Sequence, residues 1–409
     1  MTVYLSKPTF LKFSIVFIFL LMCASLQAQL LTEQELKSQK VFRSLTEALK
    51  DPSEVIVLDL SSKDLKSLPE DVGDFVNLQY LDVSKNDLIK LPQSITNLSK
   101  LQVLKVNDNA LATIPNNIGD LKHLKEFSLH KNKLTELPES FGELRKLEVL
   151  DVYVNNLTEL PESIGKIDGL RVIDAYVNEL TDLPDSFRKL ENVETVYLGM
   201  NFLKKFPEEL YYMSALTSLD ISHNQLKKLP KDIWKMLQLE RLYLPENKIT
   251  HLPDELGQLS NLIELDLSDN KIRKVPHTVS KMMALRKINL DYNRIKKFPM
   301  AFVRMEDLKS VHLTYNKISE IPDSVNNMLN MEIFTIDENP IEELPESFYD
   351  LTELKFLDIS GTNILRISAE IGRFEKLEYL NLGDLLLTSE QKNVVRSYFQ
   401  TAASLQIIF

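Results

Sequence analysis

Residues 147–161 read LEVLDVYVNNLTELP, and residues 170–184 read LRVIDAYVNELTDLP. The second string repeats the first position by position, both following LxxLxLxxNxLxxLP. Residues 262–276, LIELDLSDNKIRKVP, carry the pattern again. Working outward, the asparagine recurs at Asn86, Asn109, Asn132, Asn155, Asn178, Asn201, Asn224, Asn247, Asn270, Asn293, Asn316 and Asn339, every step being equal in length. The frame extends to Lys63 on one side and to Thr362 and Leu385 on the other, which makes 15 units. Thirteen of the 17 prolines stand six residues beyond that position, from Pro69 to Pro345. A fixed period of this kind marks a stacked-repeat architecture.

Each position has a physical task. LxL predicts a short strand whose leucines point inward and whose intervening residues point to solvent. The asparagine reads as buried, its amide satisfying backbone groups of adjacent turns that would otherwise be costly to bury. Proline suits the first position of a following helical turn. The acids after it, such as Glu139, Glu162, Asp185 and Glu208, suit a helix N-terminus. One unit cannot bury its own leucines, but stacked units share a continuous core.

These residues resemble the leucine-rich repeat family, over residues 55–387. The proline-bearing 23-residue unit is most similar to the typical class found in Ras-binding leucine-rich scaffold proteins, plant intracellular Ras-group-related proteins and many bacterial proteins. The resemblance implies an α/β repeat solenoid: a curved horseshoe with a concave parallel β-sheet and convex short helical turns. It implies no single function, because function resides in sites rather than folds. Lys63, Thr362 and Leu385 at the Asn position, and Ser368 at the Pro position, depart from the pattern in terminal units, where atypical caps are expected.

Residues 1–28 read as an export signal. Lys7 and Lys12 give a positive start, an apolar run covers residues 13–24, and cleavage after Ala28 leaves Gln29 first. The rival reading is a lipoprotein anchored through Cys23, the one cysteine, although Met22 is large for the residue before a lipid-modified cysteine. Either way the expectation is an exported bacterial protein, periplasmic, cell-surface or secreted, without a transmembrane segment in the mature chain. Residues 29–54 are expected to form a capping helix, opened by Thr32 and Glu35 as a capping box, with an apolar stripe of Leu36, Val41, Leu45, Ala48 and Leu49. Residues 388–409 are expected to cap the other end with a helix carrying Val394, Val395, Tyr398 and Phe399, then a last strand.

Composition excludes several classes. The 409 residues are 44% hydrophobic and 26% charged, with a net charge of −11, a poor balance for general nucleic-acid binding. One cysteine cannot form an internal disulfide or a thiolate zinc site. GxGxxG, GxxxxGK[ST] and HExxH are absent. His123, His130, His223, His251, His277 and His312 occupy different columns of the repeat, so no metal or other cofactor is expected. The aspartate four before the asparagine, at Asp59, Asp82, Asp151, Asp174, Asp220, Asp266 and Asp358, reads as the common wording of this strand rather than as acid–base machinery. The chain is therefore expected not to be an enzyme.

The solvent side of the strands is the remaining candidate. Tyr153 and Tyr176, then Gly199, stand two before the asparagine, and Val154, Val177 and Met200 one before it. Tyr197 and Tyr243 stand four before it and Phe202 one after. Exposed apolar clusters with tyrosine often mark interfaces. Gly199 is expected to leave a hollow beside Tyr176, and Ser268 in an LDLS unit is expected to be exposed to a similar degree. A second feature is a basic edge three and four residues after the asparagine: Lys204, Lys205, Lys227, Lys228, Arg273, Lys274, Lys296 and Lys297. The corresponding earlier residues Glu136, Glu159 and Asp182 are acidic. The expected function is a non-enzymatic scaffold that holds a protein ligand, or alternatively a glycan, on the concave face. The runner-up readings are a passive cell-surface structural or adhesion protein and an accessory subunit of an enzyme.

Overall fold

The computed structural model describes residues 29–399 and 405–409. The export-signal assignment, and residues 400–404 of the expected C-terminal cap, lie outside the described residues. The chain divides into two compact units, the first ending at Val152 and the second beginning at Tyr153. Among the described residues, no helix is long and apolar enough to cross a membrane.

In the first unit, strand β1 (Val41–Phe42) pairs with β2 (Val57–Asp59), and four more three-residue strands follow, ending at Val149–Asp151. All pairs are parallel, and from β2 onward partners stand one repeat apart, as Leu58 with Leu81 and Leu81 with Leu104. The second unit repeats the plan in eleven strands, from Val172–Asp174 to Gln406–Ile408. Its register is the same, as Leu242 with Leu265 and Leu265 with Ile288. Each unit is thus a solenoid of parallel strands joined by short turns.

The two-residue alternation holds in most strands, the exceptions being Val57, Ser310 and Thr335, which are buried beside an inward residue. Leu150, Ile173, Val196 and Leu219 are inaccessible to solvent, while the residues flanking each are at least partly exposed. Burying a leucine or valine stabilises by about 1.5–3 kcal/mol. The return segments are 3-10 turns rather than α-helices. Their proline stands before the turn rather than at its first position: Pro161 is extended, and its carbonyl accepts the Ile164 N–H at 3.0 Å. Only this placement lets the proline carbonyl close the first three-residue ring while its missing N–H costs nothing.

The asparagine joins adjacent repeats. Asn201 is 4% exposed. Its Nδ2 donates to the carbonyls of Ala175 (3.0 Å), Leu198 (3.0 Å) and Gly199 (3.1 Å), and its Oδ1 accepts the Leu180 N–H at 2.9 Å. The same set recurs at Asn224, Asn270 and Asn339. Thr362, which replaces the asparagine, keeps one of these bonds, from Oγ1 to the Ile359 carbonyl at 2.8 Å. The residue before each asparagine is left-handed, with φ near +50° from Lys85 to Glu338, and only Gly361 is a glycine there.

The ends differ from expectation in detail. The single helix expected up to Leu49 is two: α1 (Glu33–Lys37), with the Thr32–Glu35 capping box, and α2 (Leu45–Ala48), capped by Ser44. Ser38 closes α1, and Val41 and Phe42 leave the helix to pair with β2. Two buried glutamines fasten this segment: Gln79 Oε1 accepts the Leu31 N–H, and Gln102 Nε2 donates to the Leu31 carbonyl, both at 2.8 Å. At the other end α3 (Ser389–Tyr398) starts with a Thr388–Gln391 capping box. Val395 and Phe399 are buried but Val394 is exposed, since consecutive helix positions cannot share a face.

Replacing Asn201 with alanine should lower stability by about 1–3 kcal/mol, because the Leu180 N–H loses its partner inside the core and the carbonyls of Ala175, Leu198 and Gly199 each lose one of two donors. Denaturant unfolding followed by circular dichroism checks this through the midpoint, which stays meaningful if a repeat array departs from two-state behaviour.

Candidate functional site

The recurring aspartate is structural. Asp82, Asp220, Asp266 and Asp358 each accept, through Oδ1, the backbone N–H two residues on, at 2.7–3.0 Å. Ser268 also donates its hydroxyl to Asp266 at 2.7 Å, and it is 9% exposed rather than open to solvent. Where tyrosine replaces this aspartate, the partner position changes too: Tyr197 is followed by Gly199, and Tyr243 by Pro245, which has no N–H to give.

The proposed apolar residues fall into three groups. Tyr197 (36% exposed), Met200 (46%) and Phe202 (47%) are open to solvent, close together along the chain. Tyr153 and Tyr176 are half-buried and contact each other, with ring centroids 6.0 Å apart. The hollow expected beside Tyr176 does not exist, because the tyrosine ring itself fills it. A Cβ on Gly199 would lie 2.2 Å from Tyr176 Cε2. Any side chain at position 199 would have to displace the Tyr176 ring or the Ser222 hydroxyl. Tyr243 is turned to another purpose: its hydroxyl donates to Glu264 Oε2 at 2.9 Å, and burial with this bond pushes its pKa up to about 12.

Val154 (φ 52°), Val177 (φ 55°) and Met200 (φ 52°) occupy the left-handed position in three consecutive repeats. β-branched residues are true outliers there, because the branched Cβ crowds the neighbouring carbonyl. Aspartate, lysine, glutamate or histidine fills most other repeats at this position. Two strained valines thus stand in the repeats next to exposed Tyr197, Met200 and Phe202.

Sequence reading missed a second aromatic pair in that same column. Tyr292 (50% exposed) and Tyr315 (47%) stack at 4.7 Å with planes 13° apart. Their place one before Asn293 and Asn316 was the readable signal. Beside them Thr314 joins two carboxylates, its N–H donating to Asp291 Oδ1 and its hydroxyl to Asp337 Oδ1, both at 2.7 Å. Burial pushes the Asp291 carboxyl up to about 7 and the Asp337 carboxyl up to about 6. His312 lies between Ser310 and Thr335, and burial holds its pKa below the usual value. The eight residues of the basic edge are all exposed.

Comparison with known proteins places this geometry. The chain is 31% identical to the Leptospira interrogans leucine-rich repeat protein LIC12759, with a TM-score of 0.82 over 91% of this chain and 100% of that one. A model of the leucine-rich repeat region matches residues 55–133 and 115–229, and a leucine-rich repeat model matches 237–295 and 306–364. This chain belongs to the leucine-rich repeat family. No curated protein matches it. Two other leucine-rich repeat structures are also similar. One is the ectodomain of the Arabidopsis thaliana receptor kinase GASSHO1/SCHENGEN3, solved in complex with CASPARIAN STRIP INTEGRITY FACTOR 2 (29% identity, 78% of this chain and 40% of that one, TM-score 0.65). The other is the plant peptide hormone receptor RGFR1 in complex with RGF2 (28% identity, 81% and 59%, TM-score 0.64). Leucine-rich repeat solenoids of this kind commonly serve as protein-binding scaffolds.

The strand face of this leucine-rich repeat can be tested at two positions. A carboxyl with a raised folded pKa takes up a proton on folding, so its contribution is present at low pH and lost as pH rises through about 7 for Asp291. Asp291→Asn should therefore stabilise by up to about 4 kcal/mol at high pH and by little at pH near 4, as the rise from 3.8 to about 7 implies. Thermal unfolding across this pH range measures it. Val177→Asn should raise the stability by up to about 1 kcal/mol, and the unfolding midpoint with it, by relieving the left-handed strain. Denaturant titration of the purified variant tests that sign.

Proposed function

We propose that this protein is a non-enzymatic scaffold that holds a protein partner on the solvent side of the strands of its second unit, over Tyr153, Val154, Tyr176, Val177, Tyr197, Met200 and Phe202. The carrying observation is the coincidence of strained and exposed apolar residues. Val154 and Val177 keep a costly backbone conformation next to Met200 and Phe202, both nearly half exposed. The fold imposes the left-handed turn in every repeat but not a β-branched residue in it, and strain kept beyond what the fold imposes collects at functional sites. An apolar cluster of this kind suits a buried interface centre, with Tyr197 as an anchor and the aspartates of adjacent strands as a polar rim. The half-buried Tyr153 and Tyr176 form the floor, and Tyr243 belongs to the margin.

Asp291 and Asp337 owe their raised pKa values first to burial, and each is engaged by Thr314. Lys7, Lys12 and the apolar run after them support export.

The test is affinity capture with the wild-type chain against a Tyr197→Ala/Met200→Ala/Phe202→Ala variant. The variant should keep its unfolding midpoint within about 0.5 kcal/mol per exposed site. It should lose its captured partner by at least about thirtyfold in affinity, the loss of one anchor of roughly 2 kcal/mol. A partner held equally by both proteins would overturn the proposal, and a chain with no partner at all would favour the passive spacer.

A further inference from the structure

We infer that one edge of the second unit, from Lys204 to Lys317, is a binding strip for a linear polyanion, an acidic polysaccharide chain. The eight cations of the basic edge are part of the observation. The residue just after the asparagine adds Lys248, Lys271, Arg294 and Lys317, all exposed. The backbone aligns these columns from repeat to repeat. The Lys271 N–H donates to the Ile249 carbonyl at 2.8 Å, and the Thr250 N–H to the Lys227 carbonyl at 3.2 Å. Twelve cations therefore lie along six repeats, and no carboxylate occupies these columns before Glu320. At about 4.8 Å per repeat, the strip is roughly 24 Å long.

None of the twelve is ion-paired among the described residues. Elsewhere in the unit, by contrast, several cations meet a carboxylate one repeat away. Lys287 meets Glu264 at 2.7 Å, Lys309 and Lys355 share Glu332 at 2.6 and 2.7 Å, and Lys376 meets Glu353 at 2.6 Å. In the strip cation follows cation, as Lys204 and Lys227 or Arg273 and Lys296 do. Like charges on neighbouring rungs destabilise the fold. This arrangement persists in a chain whose net charge is −11. An external anion would relieve the repulsion and gain affinity by releasing counterions.

The surroundings select the anion's shape. Glu159 and Asp182 precede the strip, and Glu320, Glu342 and Glu343 follow it. Along its length Glu246 and Asp269 come just before its columns, and Glu208, Asp232 and Asp254 just after. A flat anionic surface would press against these carboxylates, whereas a thread laid along the strip meets cations alone. Nucleic-acid strands are held by aromatic platforms as well as charge. The strip's three columns carry one aromatic residue besides His251, namely Phe202 at its end. A carbohydrate chain bearing sulfate or carboxylate groups needs no such platform.

The experiment titrates the protein with a size-defined heparin oligosaccharide as probe, by calorimetry in about 0.15 M salt, a realistic screening condition. Binding should weaken steeply with added salt. Arg273→Glu/Lys274→Glu/Lys296→Glu/Lys297→Glu should lose at least thirtyfold in affinity. The milder Arg273→Ala/Lys274→Ala should lose several-fold, which keeps the test valid if the reversal variant fails to fold. Lys309→Ala/Lys376→Ala, which removes ion-paired cations elsewhere, should bind normally, as should the Tyr197→Ala/Met200→Ala/Phe202→Ala variant. No heparin binding, or equal binding by the Arg273→Ala/Lys274→Ala variant, would overturn the inference. So would tighter binding to oligo(dT) or to phosphatidylserine vesicles than to heparin, pointing to a nucleic acid or a membrane instead.

Discussion

Everything in this molecule rests on an amide that bonds in two directions. Asn201 reaches the carbonyls of its own repeat at Leu198 and Gly199, and the carbonyl of Ala175 and N–H of Leu180 in the repeat before. A buried polar group is tolerable only when its partners are fixed. Fixing them sets how the strand end and turn of each repeat sit against those of the repeat before. It also forces the preceding residue into the left-handed region, since the chain must turn inward within one step. The leucine core supplies most of the stabilisation, but the amide sets the register in which the leucines meet.

The left-handed position connects that constraint to function. Lysine, aspartate or histidine there carries strain of the ordinary kind. Val154 and Val177 carry more, and they do so where Tyr197, Met200 and Phe202 face solvent. The fold therefore accepts a cost in a place where the surface is least suited to water. The polar repeats show the alternative, with Asp220 and Asp266 holding the strand end and serine completing the turn.

The architecture was legible in the sequence because one residue at one spacing answers for each structural task. Asn86 to Asn339 and Pro69 to Pro345 report the period, and leucine alternation reports the strands. What sequence reading missed involves relations between side chains. Gly199 looked like empty space, yet the ring of Tyr176 lies across it. Tyr243 looked like an anchor, but its hydroxyl belongs to Glu264. Gln79 and Gln102 sit outside the repeat pattern, and only the fold shows them holding the backbone of Leu31. The split of the expected N-terminal helix has the same origin, since an edge strand offered Val41 and Phe42 a better set of bonds than a helix could.

The asparagine bonds also set the grammar by which such a chain can change length. Every partner is counted backward by a fixed step, from Asn201 to Leu180 or from Asn224 to Leu203. A tandem duplication of one whole repeat brings a complete set of donors and acceptors and leaves every older bond intact. A duplication that broke off within the strand or its turn would misplace some of them. The array can therefore grow or shrink in whole units without new chemistry. A surface feature spread over several repeats, such as a row of lysines, lengthens by copying rather than by invention.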